Sequence, residues 1–511
     1  MTPDVVRIRE GNTGILHLRR PDGSSETFFP DCDLDRTRAL LLEFQELRDF
    51  EGRALRDSYW VDGLNWYPST VSFLYWHLFY RSVQYAPLLE AVLDGRMEPE
   101  FDDSGGFARV VELLRGAVES EGPKARIFHA LIALNNRRTL RRHPAEMLFF
   151  RFAEDDFRSQ ELRATLDELG VRYVEVVPPG RGALLRNLRH GGRYYFYGGR
   201  RAPNRFTRKF DLSRVGAHKT RVFEAAVRYV EETISSYVRE YQRHCRALGR
   251  TDARVFYGFD DANGYVFPIL LACRRRGIRT VAHQHGAYVR RHAAYIMEGI
   301  ERESFTWFEK LIVWGEYWRE HLLSVSQIHD PEAVVVGSNR MTRSYPPVRP
   351  PRTPPSGILI PYEFAANTQK VGRFIVAFMD LGYTVYFKPR PDEPLDLQLE
   401  GYCLSEEHAR KLVVVDKVDD ALMEQVDIVA GTMTTLVYEL LPYGKIVWIL
   451  DTEYKHLEDL VEEGLAHKVR LGDLPSLGPE YFRPTEVDAA RFFNPLPLRE
   501  TIARHVLEKS P

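Results

Sequence analysis

Between Tyr345 and Pro355 the chain reads YPPVRPPRTPP, six prolines in eleven residues, and no other stretch constrains the fold as much. Proline lacks a backbone N–H and fixes φ, so such a run enters neither a helix interior nor a central strand. It makes a stiff connector, and what lies on either side must fold as separate units. A length of 511 residues exceeds what one core usually supports, so two or three domains are expected.

Both sides of the connector alternate strand and helix. Before it, the apolar run at Met147 is followed by a helix over 161–169 and the strand VRYVEVV. Further on come a helix over 221–248 and strands over 254–259, 279–283, 310–314 and 333–336. Beyond the connector the alternation restarts, with strands over 357–360, 384–388, 411–415, 427–429 and 445–450 and a helix over 368–381. This pattern predicts an α/β chain of two Rossmann-like, doubly wound domains, 147–344 and 356–484, with ligands in the cleft outside the strand carboxyl ends. Residues 1–146 are expected to hold a hairpin around Pro21-Asp22-Gly23 and a helical extension, and 485–511 a helical tail returning to the first domain. The aromatic run from Tyr59 to Tyr85 reads as core or a domain-docking face rather than a sugar platform.

Composition narrows the class. A hydrophobic share of 44%, a charged share of 28% and a net charge of −2 describe neither a disordered chain nor one that seeks nucleic acid throughout. Cys32, Cys245, Cys273 and Cys403 lie far apart, so neither a zinc site nor a disulfide framework is expected, and a reducing cytoplasm fits. The first residues lack an apolar core behind a basic start, and no apolar run reaches membrane-spanning length.

Four constellations fall at strand ends. In Val429–Glu439, VAGTMTTLVYE, a strand passes through a hydroxyl turn into a helix. Backbone N–H groups with Thr432, Thr434 and Thr435 suit a diphosphate or phosphodiester, and Glu439 a ribose diol; the alternative is a capped amphipathic helix. Asp260-Asp261 follows the strand VFYGF, where one carboxylate is a base or nucleophile and the other a helix cap. In HQHGAY, His283 points inward as a buried histidine, while His285 is the candidate for proton transfer or for holding a carboxylated sugar, and Gln284 and Gly286 are expected to contact the acceptor. In FKPRPDE, Lys388 and Arg390 project to one side and suit a leaving phosphate; the alternative is pairing with Asp392 or Glu393. Glu154, with Asp155 and Asp156, lines the acceptor side or caps a helix. No metal site is expected.

The stretch from Arg181 to Lys219 interleaves arginines with Tyr194, Tyr195, Phe196, Tyr197 and Phe206. It is expected to attract anions, whether a lipid-linked acceptor, an acidic glycan or the anionic membrane face, or to be a solvated loop. Nucleic acid ranks third, since nothing else in the chain supports it.

Taken together, QHG at 284–286, KLIVWGEYWREHLL leading to VVVGSNR, KPRP, and GTMTTLVYELLPYGK resemble the GT-B glycosyltransferases of bacterial surface polysaccharide assembly, particularly the capsule-type Kdo transferases with a sialyltransferase-like fold. The resemblance covers about residues 147–475. It implies a nucleotide-sugar donor on Lys388, Arg390, Thr434, Thr435 and Glu439, chemistry at Asp260 or Asp261 with His285, and a glycan or lipid-linked acceptor. With the cysteine usage and the basic stretch, a cytoplasmic enzyme is expected, in peripheral contact with the inner membrane and acting without a metal. Relatives usually carry His-Pro where this chain has Arg390-Pro391, and arginine cannot give up its proton at useful pH. A CMP-linked ulosonic acid, whose phosphate is already a good leaving group, tolerates that change. The alternatives are a CDP-glycerol-type polyol-phosphate transferase and a non-catalytic glycan-binding scaffold.

Overall fold

Strands covered by helices on both faces are apolar throughout rather than alternating. Met147–Phe150, Tyr173–Val177 and Val255–Gly258 are buried at every residue, as are Gly357–Pro361, Ile428–Gly431 and Ile446–Leu450. The computed structural model describes residues 4–11, 14–116, 123–152, 159–198, 202–249, 251–258, 264–339, 348, 350–363, 367–391 and 393–508.

These strands form two all-parallel sheets. The seven-stranded one runs in the order Val334–Val336, Lys310–Val313, Arg279–His283, Val255–Gly258, Met147–Phe150, Tyr173–Val177, Tyr194–Phe196. The six-stranded one runs Val413–Val414, Thr384–Lys388, Gly357–Pro361, Ile428–Gly431, Ile446–Leu450, His467–Val469. In each, the first strand lies inside the sheet, and the chain winds outward to one side and then to the other. Both domains are therefore doubly wound, as the alternation predicts. Their switch points fall between Met147–Phe150 and Val255–Gly258, and between Gly357–Pro361 and Ile428–Gly431.

The covering helices follow from apolar spacing and caps. Thr368–Asp380 is capped by Asn367, whose side chain accepts from the Lys370 N–H, and it buries Val371, Phe374, Ile375 and Phe378 on one face. Helix spacing of three and four residues places those four together over the second sheet. Leu498–Thr501 and the turn Ile502–Val506 pack beneath the first sheet instead, with Leu498, Ile502 and Val506 in one cluster with Met147 and Tyr257. The Thr501 hydroxyl accepts from the Ser338 N–H at 2.9 Å.

The N-terminal module is more integrated than a hairpin appendage. Leu16–Arg19 and Ser25–Phe28 form the hairpin, but Asp4–Glu10 and Met97–Phe101 extend it to four strands. In the aromatic run Trp66, Tyr67, Tyr75 and Phe79 are fully buried, so this segment is core. The N-terminal module docks on the first domain through Phe44 against Phe223 at 5.4 Å and Phe73 stacked on Tyr229 at 4.3 Å. Against the second domain it sets Lys455 on Asp35 at 2.5 Å and His17 on Glu400 at 3.0 Å.

Candidate functional site

The strand Arg279–His283 ends at the carboxyl edge of the first sheet, and the next residues meet opposite fates. His283 is fully buried, 3.0 Å from the Tyr257 hydroxyl through Nδ1 and 2.9 Å from the Ser338 carbonyl through Nε2; it is the satisfied core histidine that alternation predicts. Gln284 is also fully buried, accepting from the Trp314 N–H at 3.0 Å and donating to the Gly286 carbonyl at 2.9 Å. Its amide shapes the turn, so the acceptor contact expected of it is not available. His285 is half-buried, and its Nε2 is hydrogen-bonded to the Tyr295 hydroxyl.

Beyond His285 the loop reaches the second domain. The Ala287 N–H donates to Thr435 Oγ1 at 3.3 Å. A side chain at Gly286 would stand 3.7 Å from the same oxygen and 3.6 Å from the Tyr295 hydroxyl. Two constellations, joined by residues 148 apart in sequence, thus share one junction between the domains. Further on, the Arg290 N–H donates to Asp459 at 2.7 Å, and Asp459 and Glu463 flank His321 at 3.1 and 3.2 Å. Burial pushes His321 down, but hydrogen bonds and charge from the two carboxylates outweigh it and lift its pKa to about 9. A buried cation therefore joins the domains beside the loop.

At the switch point of the second sheet lies a residue that sequence reading missed. Glu363 follows the strand Gly357–Pro361 and is fully buried. It accepts from the Thr432 N–H, the Thr432 hydroxyl and the Met433 N–H, each at 2.9 Å. Thr432 therefore holds this internal carboxylate rather than a ligand phosphate. Burial pushes Glu363 up to about 8, against those bonds. At Gly431 a Cβ would come within 2.7 Å of Glu363 Oε1 and 2.8 Å of Val437 Cγ2, which explains the glycine. The one signal was a charged residue, in PYEF, directly after an unbroken apolar strand.

Thr434 caps the helix Thr435–Leu440 by accepting from the Leu436 N–H at 3.3 Å. Glu439 lies one turn on and is half-buried. Along the same edge, Lys388 ends the strand on the far side of Gly357–Pro361, about 10 Å of sheet from Gly431. Burial lowers its pKa, and its ammonium donates to the Pro389 carbonyl at 2.6 Å. The following turn is pinned by the buried Gln398, which accepts from the Arg390 N–H at 2.8 Å and donates to the carbonyls of Arg390 and Glu393 at 2.9 and 2.7 Å. The Arg390 guanidinium stands 3.8 Å from the Glu393 carboxylate. Glu154, Asp260 and Asp261 lie outside the described residues.

No protein-family model matches the chain, and no curated protein sequence does. Solved structures match it in shape. MurG of Acinetobacter baumannii does so at 13% identity, over 66% of this chain and 88% of its own, with a TM-score of 0.37. The calicheamicin glycosyltransferase CalG4 matches at 15% identity over 70% and 89%, with a TM-score of 0.39. A UDP-GlcNAc 2-epimerase of Neisseria meningitidis, solved with UDP-GlcNAc bound, matches at 12% identity over 71% and 99%, with a TM-score of 0.40. These are distant likenesses to enzymes of the GT-B type. The two-Rossmann architecture rests on this chain's own strand order.

Proposed function

We propose that this chain is a glycosyltransferase moving a sugar from a nucleotide-activated donor, with a CMP-linked ulosonic acid such as CMP-Kdo preferred, to a cell-surface polysaccharide or glycolipid. The observation that carries this reading is the junction itself: the loop bearing His285 touches Thr435 where two doubly wound domains meet at their strand carboxyl ends, the place such sheets receive ligands. In this reading the hydroxyls of Thr434 and Thr435 face the donor phosphate and Glu439 takes the ribose. Lys388 and Arg390 stabilise the charge that develops as the nucleotide leaves. Arg390 stays protonated, so proton transfer falls to His285, with Asp260 or Asp261 acting on the acceptor hydroxyl or on the sugar. Attack on the acceptor proton inverts the anomeric centre, and attack on the sugar retains it. CMP departs without a metal.

Calorimetric titration with CMP, CDP, UDP and GDP in the absence of metal tests the reading, with Lys388→Ala and Thr435→Ala alongside. One nucleotide binds, and both substitutions weaken it. Preference for CDP over CMP would move the assignment to a polyol-phosphate transferase using the same cradle. Failure of every nucleotide to bind overturns the transferase reading and leaves a glycan-binding scaffold.

A further inference from the structure

Two helices at the outer edge of the first sheet present a surface whose charge is segregated. Pro123–Arg142 and Arg181–His190 pack side by side over the edge strand Tyr194–Phe196, burying Ile132, Ala183 and Leu184 against Val177 and Phe196. A buried amide network joins them. Asn187 Nδ2 donates to Asn135 Oδ1 at 2.8 Å and Asn187 Oδ1 accepts from the Tyr194 N–H at 3.1 Å. Asn136 bonds both the N–H and the carbonyl of Phe196, at 2.8 and 2.7 Å. Such a network fixes the register of the pair, so the outward face is a rigid platform.

Neither helix contains an aspartate or glutamate, although the chain as a whole has 72 acidic residues against 70 basic. Arg138, Arg141 and Arg142 on the first helix, and Arg181, Arg189 and the nearby Arg193, are all exposed. Large aliphatic side chains stand among them: Ile127 is 63% exposed, Leu134 58% and Leu185 50%. Positions 127, 134, 138 and 141 recur at seven, four and three residues, and 181, 185 and 189 at four, so each set shares one face of its helix. Among the described residues no phenylalanine or tyrosine of this platform is exposed: Tyr195 and Phe196 are fully buried, and Phe128 and Tyr194 are half-buried against the same core. Single-stranded nucleic acid needs such rings, and a soluble polyanion needs only the cations. Exposed isoleucine and leucine between arginines match a partner that is anionic at its surface and apolar just beneath.

From this we infer that the platform docks on the surface of an anionic lipid bilayer. Among the described residues no helix is long and apolar enough to cross a membrane, so the contact is peripheral. The basic segment that follows has another task, since Arg208 pairs with Asp49 at 3.6 Å and lies over the Tyr59 ring at 5.9 Å. The inference goes beyond the proposed function and does not depend on any nucleotide binding.

Co-sedimentation of the full chain with phosphatidylcholine vesicles, with and without phosphatidylglycerol, tests it. The wild type pellets with the anionic vesicles only, and added salt releases it. The triple charge reversal R138E/R141E/R189E weakens binding about tenfold or more, and L134S/L185S weakens it severalfold. All five positions are exposed, and circular dichroism with thermal melts establishes that the variants fold. Vesicle binding unchanged by the charge reversal overturns the inference. So does binding that ignores L134S/L185S while heparin competes as strongly as anionic vesicles, which would mark a surface for soluble polyanions. Vesicle binding lost while a nucleotide still binds, or the converse, separates the fate of this inference from that of the transferase reading.

Discussion

The strand Ile428–Gly431 has a buried carboxylate at each end, and the molecule treats the two in opposite ways. Asp427, at its start, accepts from Arg352 Nε at 3.1 Å and Nη2 at 2.8 Å, and from the N–H groups of Arg352, Ser356 and Gly357 at 2.8, 2.8 and 3.0 Å. Burial pushes Asp427 up, but the guanidinium and those N–H groups outweigh it and hold the carboxyl at about 2. Glu363, against the strand's other end, has only neutral donors around it, and there burial prevails. At the amino edge the sheet balances its charge and ties down the end of the proline connector. At the carboxyl edge, where sheets of this class meet ligands, a carboxylate is left without such balance. One edge serves stability and the other is left responsive.

The largest expected effect tests the balanced end. Asp427→Asn should lose about 3 kcal/mol in urea unfolding at pH 7, because the amide cannot satisfy the donors that converge there. Asp427 has a folded value below the usual 3.8, so its contribution is present at neutral pH and disappears as pH falls from about 4 to about 2. A deficit as large at pH 2 as at pH 7 would break the comparison.

Glu363 should show the reverse sign. Its value of about 8 lies above the usual 4.5, so the native state keeps a proton that the unfolded chain releases. Stability is then greatest below about 4.5 and falls as pH rises toward 8. Glu363→Gln should flatten that slope in thermal melts taken across the window. An unaltered slope in the variant would assign the pH dependence elsewhere.

Smaller effects sharpen the picture. Gly431→Ala should cost between about 1 and 3 kcal/mol, since the new methyl meets both Glu363 and Val437. Thr432→Val, nearly isosteric, removes one hydroxyl donor from Glu363 and should cost about 1 kcal/mol in the same unfolding assay. It should also raise the apparent pKa of the Glu363 transition, because a bond to the ionised form is lost.

Much of this architecture was legible in the sequence, because fully buried parallel strands announce themselves as apolar runs. Thr384–Lys388 and Arg279–His283 fall where periodicity predicts them. Tyr194–Phe196 and the helix Arg181–His190 escaped, since the surrounding arginines mask a three-residue strand and a short helix whose apolar positions are few. The inward orientation of His283 followed from strand alternation. The burial of Gln284 and Thr432 did not follow, because both lie in turns, where no period tells inside from outside. The role of Glu363 did not follow either: its partners come from 69 and 70 residues away, and only the fold brings them together.

The return of the tail beneath the first sheet has a mechanical consequence. The chain passes between the two domains at the proline connector and again before Leu498, and two crossings define a line. Relative motion of the domains is then reduced to rotation about that axis, as in a door rather than a ball joint. The N-terminal module, fastened to the first domain through Phe44 and Phe73 and to the second through Asp35 and His17, adds a third attachment. Opening the door means releasing Lys455 from Asp35 and Glu400 from His17 as well as Arg290 and His321 from Asp459, so the module adds to what holds the junction at Thr435 closed.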